Sequence, residues 1–159
     1  MTGHRDIWLI ANQGSGSVRE ETLAKLDQCC ASSDLCIAKR STFPDDGIPD
    51  RQELARLGID TVVTLGGDGT INAVVTELSG WDGAVLPLPG GTQNLLTKRL
   101  HGDVEVDAVM DAFAAGTARR IRPNIIRCRS GVALAGLLVG PGTSWNEVRE
   151  ALRAGDPGA

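Results

Sequence analysis

Apolar residues fall in short runs, separated by glycine-rich turns and by longer stretches with helical spacing. Residues 6–11 (DIWLIA) form a compact apolar run that ends in Asn12-Gln13-Gly14-Ser15-Gly16, which predicts a strand running into a glycine turn. Over 18–30 the apolar positions Val18, Leu23, Leu26 and Cys30 share a helical face, with Glu20 and Glu21 near the positive end of the dipole. Residues 35–38 predict a second strand. Residues 45–49 are turn-rich, and 51–57 predict a short helix closed by Gly58. The β-branched run 60–65 (DTVVTL) predicts a buried third strand, followed by the turn 66–70 (GGDGT) and a helix over 71–78. Residues 83–88 predict a fourth strand and 89–94 (PGGTQN) another glycine turn. A short helical stretch over 95–100 and a periodic helix over 104–115, stopped by Gly116, complete the series.

Strand, turn and helix repeated in this way predict an α/β fold: a Rossmann-like parallel sheet with helices on both faces. After Gly116 the rhythm changes. Residues 117–129 and 131–139 predict two strands with no helix between them, broken by Gly140-Pro141-Gly142. Residues 145–153 predict a helix, with Ser144 as N-cap and Trp145 as its anchor on the sheet. The expected division is an α/β domain over 1–116 and the start of a second β-rich unit over 117–159. So short a segment cannot close a β domain of any size. A truncated second domain, or a small appendage packed on the first, is therefore expected.

Composition narrows the function. Hydrophobic residues at 42% and charged residues at 23% are enough for a packed core. Three Trp, two Phe and no Tyr argue against a base-stacking nucleic-acid platform, and a net charge of -4 argues against coating a polyanion. The charge is uneven. Residues 98–129 carry Lys98, Arg99, Arg119, Arg120, Arg122, Arg127 and Arg129 against Asp103, Glu105, Asp107 and Asp111. This is either a solvated basic face or a surface that attracts phosphates or anionic lipid heads. Cys29, Cys30, Cys36 and Cys128 form no CxxC pair, so free thiols in a reducing cytosol are expected. The longest apolar candidate, 132–139, suits a buried strand, so any lipid contact is expected to be peripheral.

The chemistry concentrates in the glycine turns. In Gly66-Gly67-Asp68-Gly69-Thr70, between a buried strand and a helix, glycines let backbone amides approach phosphate oxygens, and the helix start adds partial positive charge. Asp68 is placed to orient a metal-bound water or to accept a proton from an attacking hydroxyl. Thr70 can cap the helix or bond a phosphate. Ligands bind at the carboxyl ends of parallel strands. Three such turns, 12–16, 66–70 and 89–94, can line one crevice there. None matches the P-loop GxxxxGK[ST] or the dinucleotide fingerprint GxGxxG.

Other polar residues carry less. Asp45, Asp46 and Asp50 lie in a proline-flanked loop that reads as a solvated turn. His4 is terminal, and His101 reads as a stabilising cation at a helix C-terminus. Lys98 and Arg99 are either surface charges or contacts to phosphate or lipid head groups.

Strand-NQGSG, strand-GGDGTINAVV and LPGGTQNLL, in this order and spacing, resemble the catalytic domain of diacylglycerol kinases, the group of sphingosine kinases and bacterial lipid kinases. NAD kinases and phosphofructokinases share the GGDG element more distantly. The resemblance covers residues 6–100 well and continues loosely over 133–153. It implies ATP as phosphoryl donor with Mg2+, transfer of the γ-phosphate to a lipid hydroxyl, and nucleotide contacts at Asn12, Gly14, Ser15, Gly16, Gly66, Gly67, Asp68, Gly69, Thr70, Asn72, Gly91, Thr92 and Asn94. Thr42 is the match to a nucleotide-contacting threonine after the second strand, with a plain turn residue as the alternative.

Departures accompany the resemblance. Asn12-Gln13 stands where the family has Asn-Pro. Leu95 stands where it often has Asp after GTxN. Ile121-Arg122 stand where an acidic residue is expected. The β-sandwich that supplies metal ligands and the catalytic base in bacterial lipid kinases is largely outside this chain. Peripheral membrane contact and a homodimer remain open, as do an NAD kinase-type phosphotransferase and a non-catalytic nucleotide-binding module.

Overall fold

A computed structural model describes residues 4–129 and 131–136. Four strands, β1 (Arg5–Ala11), β2 (Leu35–Thr42), β3 (Thr61–Gly66) and β4 (Ala84–Pro89), pair in parallel in the order β2-β1-β3-β4. Helix α1 (Glu20–Ala31) links β1 to β2, α2 (Arg51–Arg56) links β2 to β3, and α3 (Asp68–Glu77) links β3 to β4. Helices α4 (Leu95–His101) and α5 (Val106–Ala114) follow. A short antiparallel pair, β5 (Ile126–Cys128) and β6 (Gly131–Ala133), ends the described chain.

Strand pleating explains the layers, because successive side chains point to opposite faces. From β1, Ile7, Leu9 and Ala11 meet Leu26 and Cys30 of α1 and Val106, Val109 and Met110 of α5. Trp8 and Ile10 face the other way, onto Leu54 of α2 and Val74 of α3. Both faces of the sheet are therefore covered, and Ile7–Ala11 of β1 and all of β3 are buried, whereas Arg5 and Asp6 at the start of β1 are exposed. A third cluster, Ile71, Leu96 and Leu134, ties α3 and α4 to the β5–β6 hairpin.

The sheet edges show why some boundaries escape a hydrophobic pattern. β2 extends to Thr42, beyond the expected 35–38, because its last residues include the exposed Lys39 and Arg40 of an edge strand. On the other edge, Ala84 and Gly90 turn their N–H groups toward β3. The alternating positions Val85, Pro87 and Pro89 therefore face outward. Two of these three are prolines with no N–H to offer, which closes this edge to a further strand.

Helix α3 begins at Asp68 rather than at 71, because Gly67 takes the extended N-cap conformation and Gly69 lies inside the first turn. The strand expected over 117–129 is confined to Ile126–Cys128. Residues 117–125 have no regular structure, and Pro123 interrupts any ladder there. The strand expected over 131–139 is observed as Gly131–Ala133. The rest of that run, the break at 140–142 and the helix over 145–153 lie outside the described residues.

Candidate functional site

In this strand order, chain connections diverge from β1 and β3. The β1–β2 crossover through α1 covers one face, and the β3–β4 crossover through α3 covers the other. Such a switch point leaves a crevice at the carboxyl ends of the two central strands. Asn12 and Gly67 stand directly after those ends.

Three loops meet there. Asn12 donates from Nδ2 to Thr70 Oγ1 at 2.8 Å and accepts the Gly14 amide on Oδ1 at 3.0 Å. Ser15 Oγ accepts the Gly67 amide at 3.1 Å. Ser17 donates through its amide to Gly90 O at 3.2 Å and through Oγ to Gly91 O at 3.1 Å. The Gly90 amide bonds Gly66 O at 3.1 Å. The backbones are packed almost in contact: a Cβ on Gly91 would lie 2.5 Å from the Gly67 Cα, and one on Gly90 would lie 2.7 Å from the Gly66 nitrogen. Only glycine permits this approach. Gly16 sits beside Thr92, whose Oγ1 would be 3.4 Å from a Cβ there.

Asn94 holds the third loop together. It adopts a left-handed backbone (φ 53°), accepts the Gly91 amide on Oδ1 at 2.7 Å and donates from Nδ2 to Gly91 O at 3.0 Å. Asp68 reaches across to the helix that follows: its oxygens accept the amides of Leu95 at 3.0 Å and Leu96 at 2.9 Å. Helix α3 makes its first helical bond from Ile71 N to Gly67 O. The amides of Asp68, Gly69 and Thr70 therefore precede any intrahelical carbonyl partner. Gly69 is exposed, and nothing lies within 4 Å of the place a Cβ would take. Oriented amides at a helix start, reached over glycine, form an anion-binding surface.

Two expected residues lie apart from this cluster. Thr42 ends β2 beside Ala11, at the same edge of the sheet, but its backbone is bound to Asp46, with Thr42 N to Asp46 Oδ2 at 2.6 Å and Asp46 N to Thr42 O at 2.8 Å. Asn72 turns away from the loops and donates to Val132 O at 3.0 Å, while its buried Oδ1 has no partner among the described residues. Ser17 and Val18 belong to the cluster, although the sequence offers no role for Ser17 and places Val18 only on a helical face. A Cβ on Gly90 would meet Val18 Cγ2 at 2.7 Å. Nothing in a serine of a polar turn marks it as a tether between distant loops.

The surrounding charges are otherwise engaged. Lys98 pairs with Asp103 at 3.1 Å, and Arg99 points to Leu134 O. His101 is half-buried in the last turn of α4. Partial burial lowers its pKa below the ordinary histidine value, and Nε2 lies 3.1 Å from Pro87 O on the outer edge of β4. Asp50 caps α2 by accepting the Glu53 amide, and Asp46 closes its own loop. Among the described residues no group of three or more His, Cys, Asp or Glu side chains could hold a metal ion. The crevice thus offers amides and hydroxyls to a polyphosphate, a donor set that fits a nucleotide. The described residues do not by themselves fit a divalent cation, which takes oxygen ligands, commonly carboxylates together with substrate phosphates.

The family profile "Diacylglycerol kinase catalytic domain" matches residues 6–124. The chain belongs to this family. "Probable lipid kinase YegS" of Escherichia fergusonii is 40% identical over 73 residues, which cover 43% of this chain and 24% of that protein. A Streptococcus pneumoniae protein provisionally named as a lipid kinase is 39% identical over 64 residues, 38% of this chain and 21% of that one. The crystal structure of a diacylglycerol kinase from Bacillus anthracis superposes with a TM-score of 0.59 at 18% identity, over 80% of this chain and 45% of that one, a likeness of fold. The chain therefore matches less than half the length of each of these relatives. No described helix is long and apolar enough to cross a membrane.

Proposed function

We propose that this chain is the nucleotide-binding part of a lipid kinase that transfers the γ-phosphate of ATP to a lipid hydroxyl. The observation that carries this reading is the lacing of the 12–17, 66–70 and 90–94 loops into one amide-lined crevice at the sheet's switch point. In the transfer, the acceptor oxygen bonds to Pγ and gives up its proton to solvent while the bond from Pγ to the β,γ-bridging oxygen breaks, leaving ADP and a phosphomonoester. Catalysis of this kind depends on positioning and on stabilising charge.

In this reading the residues of the chain bind and orient. The amides of Gly69 and Thr70 face the phosphates, and Asn12 and Thr70 fix the two central loops relative to each other. Ser15, Gly16, Gly91 and Thr92 line the opposite wall, with Asn94 holding its curvature. Thr42, at the end of β2, is a nucleotide contact by resemblance alone. Mg2+, carried with the nucleotide, would neutralise charge on the phosphates, and no step is assigned to a protein-bound metal.

The lipid side of the proposal rests on residues 117–129. This segment carries Arg119, Arg120, Arg122, Arg127 and Arg129 without an acid, and exposes Ile121, Ile125 and Ile126. Cationic and apolar side chains interleaved in this way suit an anionic membrane surface, where a lipid acceptor resides. Two measurements test the proposal. Calorimetry should show ATP–Mg2+ binding to the folded chain, and absence of binding defeats the reading. With a protein containing a complete second domain, radiolabelled phosphate should pass to diacylglycerol in mixed micelles and not to NAD. Transfer to NAD alone would replace the lipid acceptor.

A further inference from the structure

Asp68 is the one acidic residue within the three glycine loops, and the proposed reaction offers it an obvious part as proton acceptor. Its surroundings support a different part. Both carboxylate oxygens are directed at backbone amides of α4, Oδ2 at Leu95 and Oδ1 at Leu96. Helix α4 needs such a partner. Its N-cap residue, Asn94, makes no side-chain cap bond, its first turn has no acidic residue, and its last turn holds Lys98, Arg99 and His101. Asn94 cannot serve because both ends of its amide are bound to Gly91. The capping carboxylate therefore comes from a residue 27 positions earlier, which is itself the first residue of α3. One negative charge thus lies at the positive ends of two helices.

We infer that Asp68 is a positioning residue, a latch that fixes α4 and the 90–94 loop onto the start of α3. The inference rests on the proposed nucleotide site for its functional meaning, but the latch itself does not. Leu96, which carries one of the latched amides, is buried against Ile71, so loss of the carboxylate loosens the start of α4 while the apolar contact and the bonds of the 90–91 backbone remain. The latch sets the spacing between the amides of 67–70 and those of 91–92.

Hydrogen exchange on the full chain without nucleotide tests the latch directly. In Asp68→Ala, the Leu95 and Leu96 amides should exchange about tenfold faster or more, within the range expected for a lost cap, while amides of β1 and β3 are unchanged. Asp68→Asn, which keeps one acceptor oxygen, should fall between wild type and Asp68→Ala. Nucleotide affinity should follow the same order, falling by about tenfold in the alanine variant. In a two-domain protein with turnover, the nucleotide KM should rise, and the acid limb of the pH profile of kcat should persist in Asp68→Asn.

Unchanged exchange at Leu95 and Leu96 in a folded Asp68→Ala protein overturns the inference. So does an Asp68→Asn enzyme that keeps wild-type nucleotide affinity but loses kcat together with the acid limb, since that identifies a proton acceptor. If Asp68→Ala does not fold, Asp68→Asn carries the same comparison. Failure of the wild-type chain to bind nucleotide would defeat the kinase reading and leave the exchange result standing.

Discussion

At the carboxyl edge of the parallel sheet, the 66–67 and 90–91 loops hold each other through backbone contacts that leave no room for a side chain, and Asn12, Ser15 and Ser17 tie the first loop to both. The segment after Gly116 is attached differently. Arg120 reaches Asp82 O, Asn72 reaches Val132 O, Arg99 reaches Leu134 O, and Leu134 is buried against Ile71 and Leu96. Around these points the residues of 117–127 are largely exposed. A backbone-packed junction cannot adjust locally, so a small change there moves every loop at once. A segment held by a few side chains can open by itself while the sheet stays folded.

The largest effect should come from forcing the loops apart. Gly91→Ala places a methyl group against the Gly67 Cα, a backbone atom that cannot rotate away. A destabilisation of about 1–3 kcal/mol is expected for such overpacking. Denaturant unfolding should register it, along with a loss of nucleotide binding larger than that caused by Asn12→Ala or Asp68→Ala. If Gly91→Ala binds ATP as well as wild type, the close packing is not what shapes the crevice.

Asn12→Ala removes the bond to Thr70 and the support of the Gly14 amide. A cost of about 1–2 kcal/mol is expected, with nucleotide affinity reduced roughly tenfold. A thermal melt and a binding isotherm measure both.

On the other side of the comparison, Asn72→Ala should loosen the hairpin and little else. Faster exchange is expected over 126–133, with global stability changed by about 1 kcal/mol or less. A large fall in global stability would mean that the hairpin is part of the main cooperative unit.

The smallest effect concerns pH. His101 has a folded pKa below its unfolded value because burial disfavours the charged ring. The unfolded chain therefore binds more protons, and stability is full above the unfolded pKa near 6.5 and declines as pH falls through the lowered folded value. His101→Gln should flatten the stability profile between about pH 7 and pH 5. An unaltered profile would assign that dependence to other groups.

Much of the α/β core was legible because its signals are local. The run 60–65 reads as a buried strand from Val62, Val63 and Leu65, since β3 is central and covered on both faces, and alternation of strands with helices identified a parallel sheet. The glycine turns were legible as potential phosphate loops because each follows a strand. Their lacing was not, since Ser15 and Ser17 act through contacts to distant loops that no local pattern encodes. The family resemblance groups Asn72 with the loops because it lies two positions after GGDGT. A step of two residues along α3 separates a side chain facing the crevice from one facing the hairpin, as Thr70 and Asn72 show. The strand expected over 117–129 is realised only at its end. Strand formation needs a paired neighbour, and among the described residues only 126–128 has one.

If the three loops form a single polyphosphate pocket, one ligand must be felt by all of them at once. Titrating the full chain with ATP–Mg2+ and following backbone amide resonances tests this most directly. The amides of Gly14, Ser15, Gly16, Gly67, Gly69, Thr70, Gly91 and Thr92 should shift together along one saturation curve. Shifts confined to one loop, or loops that saturate at different concentrations, would contradict it.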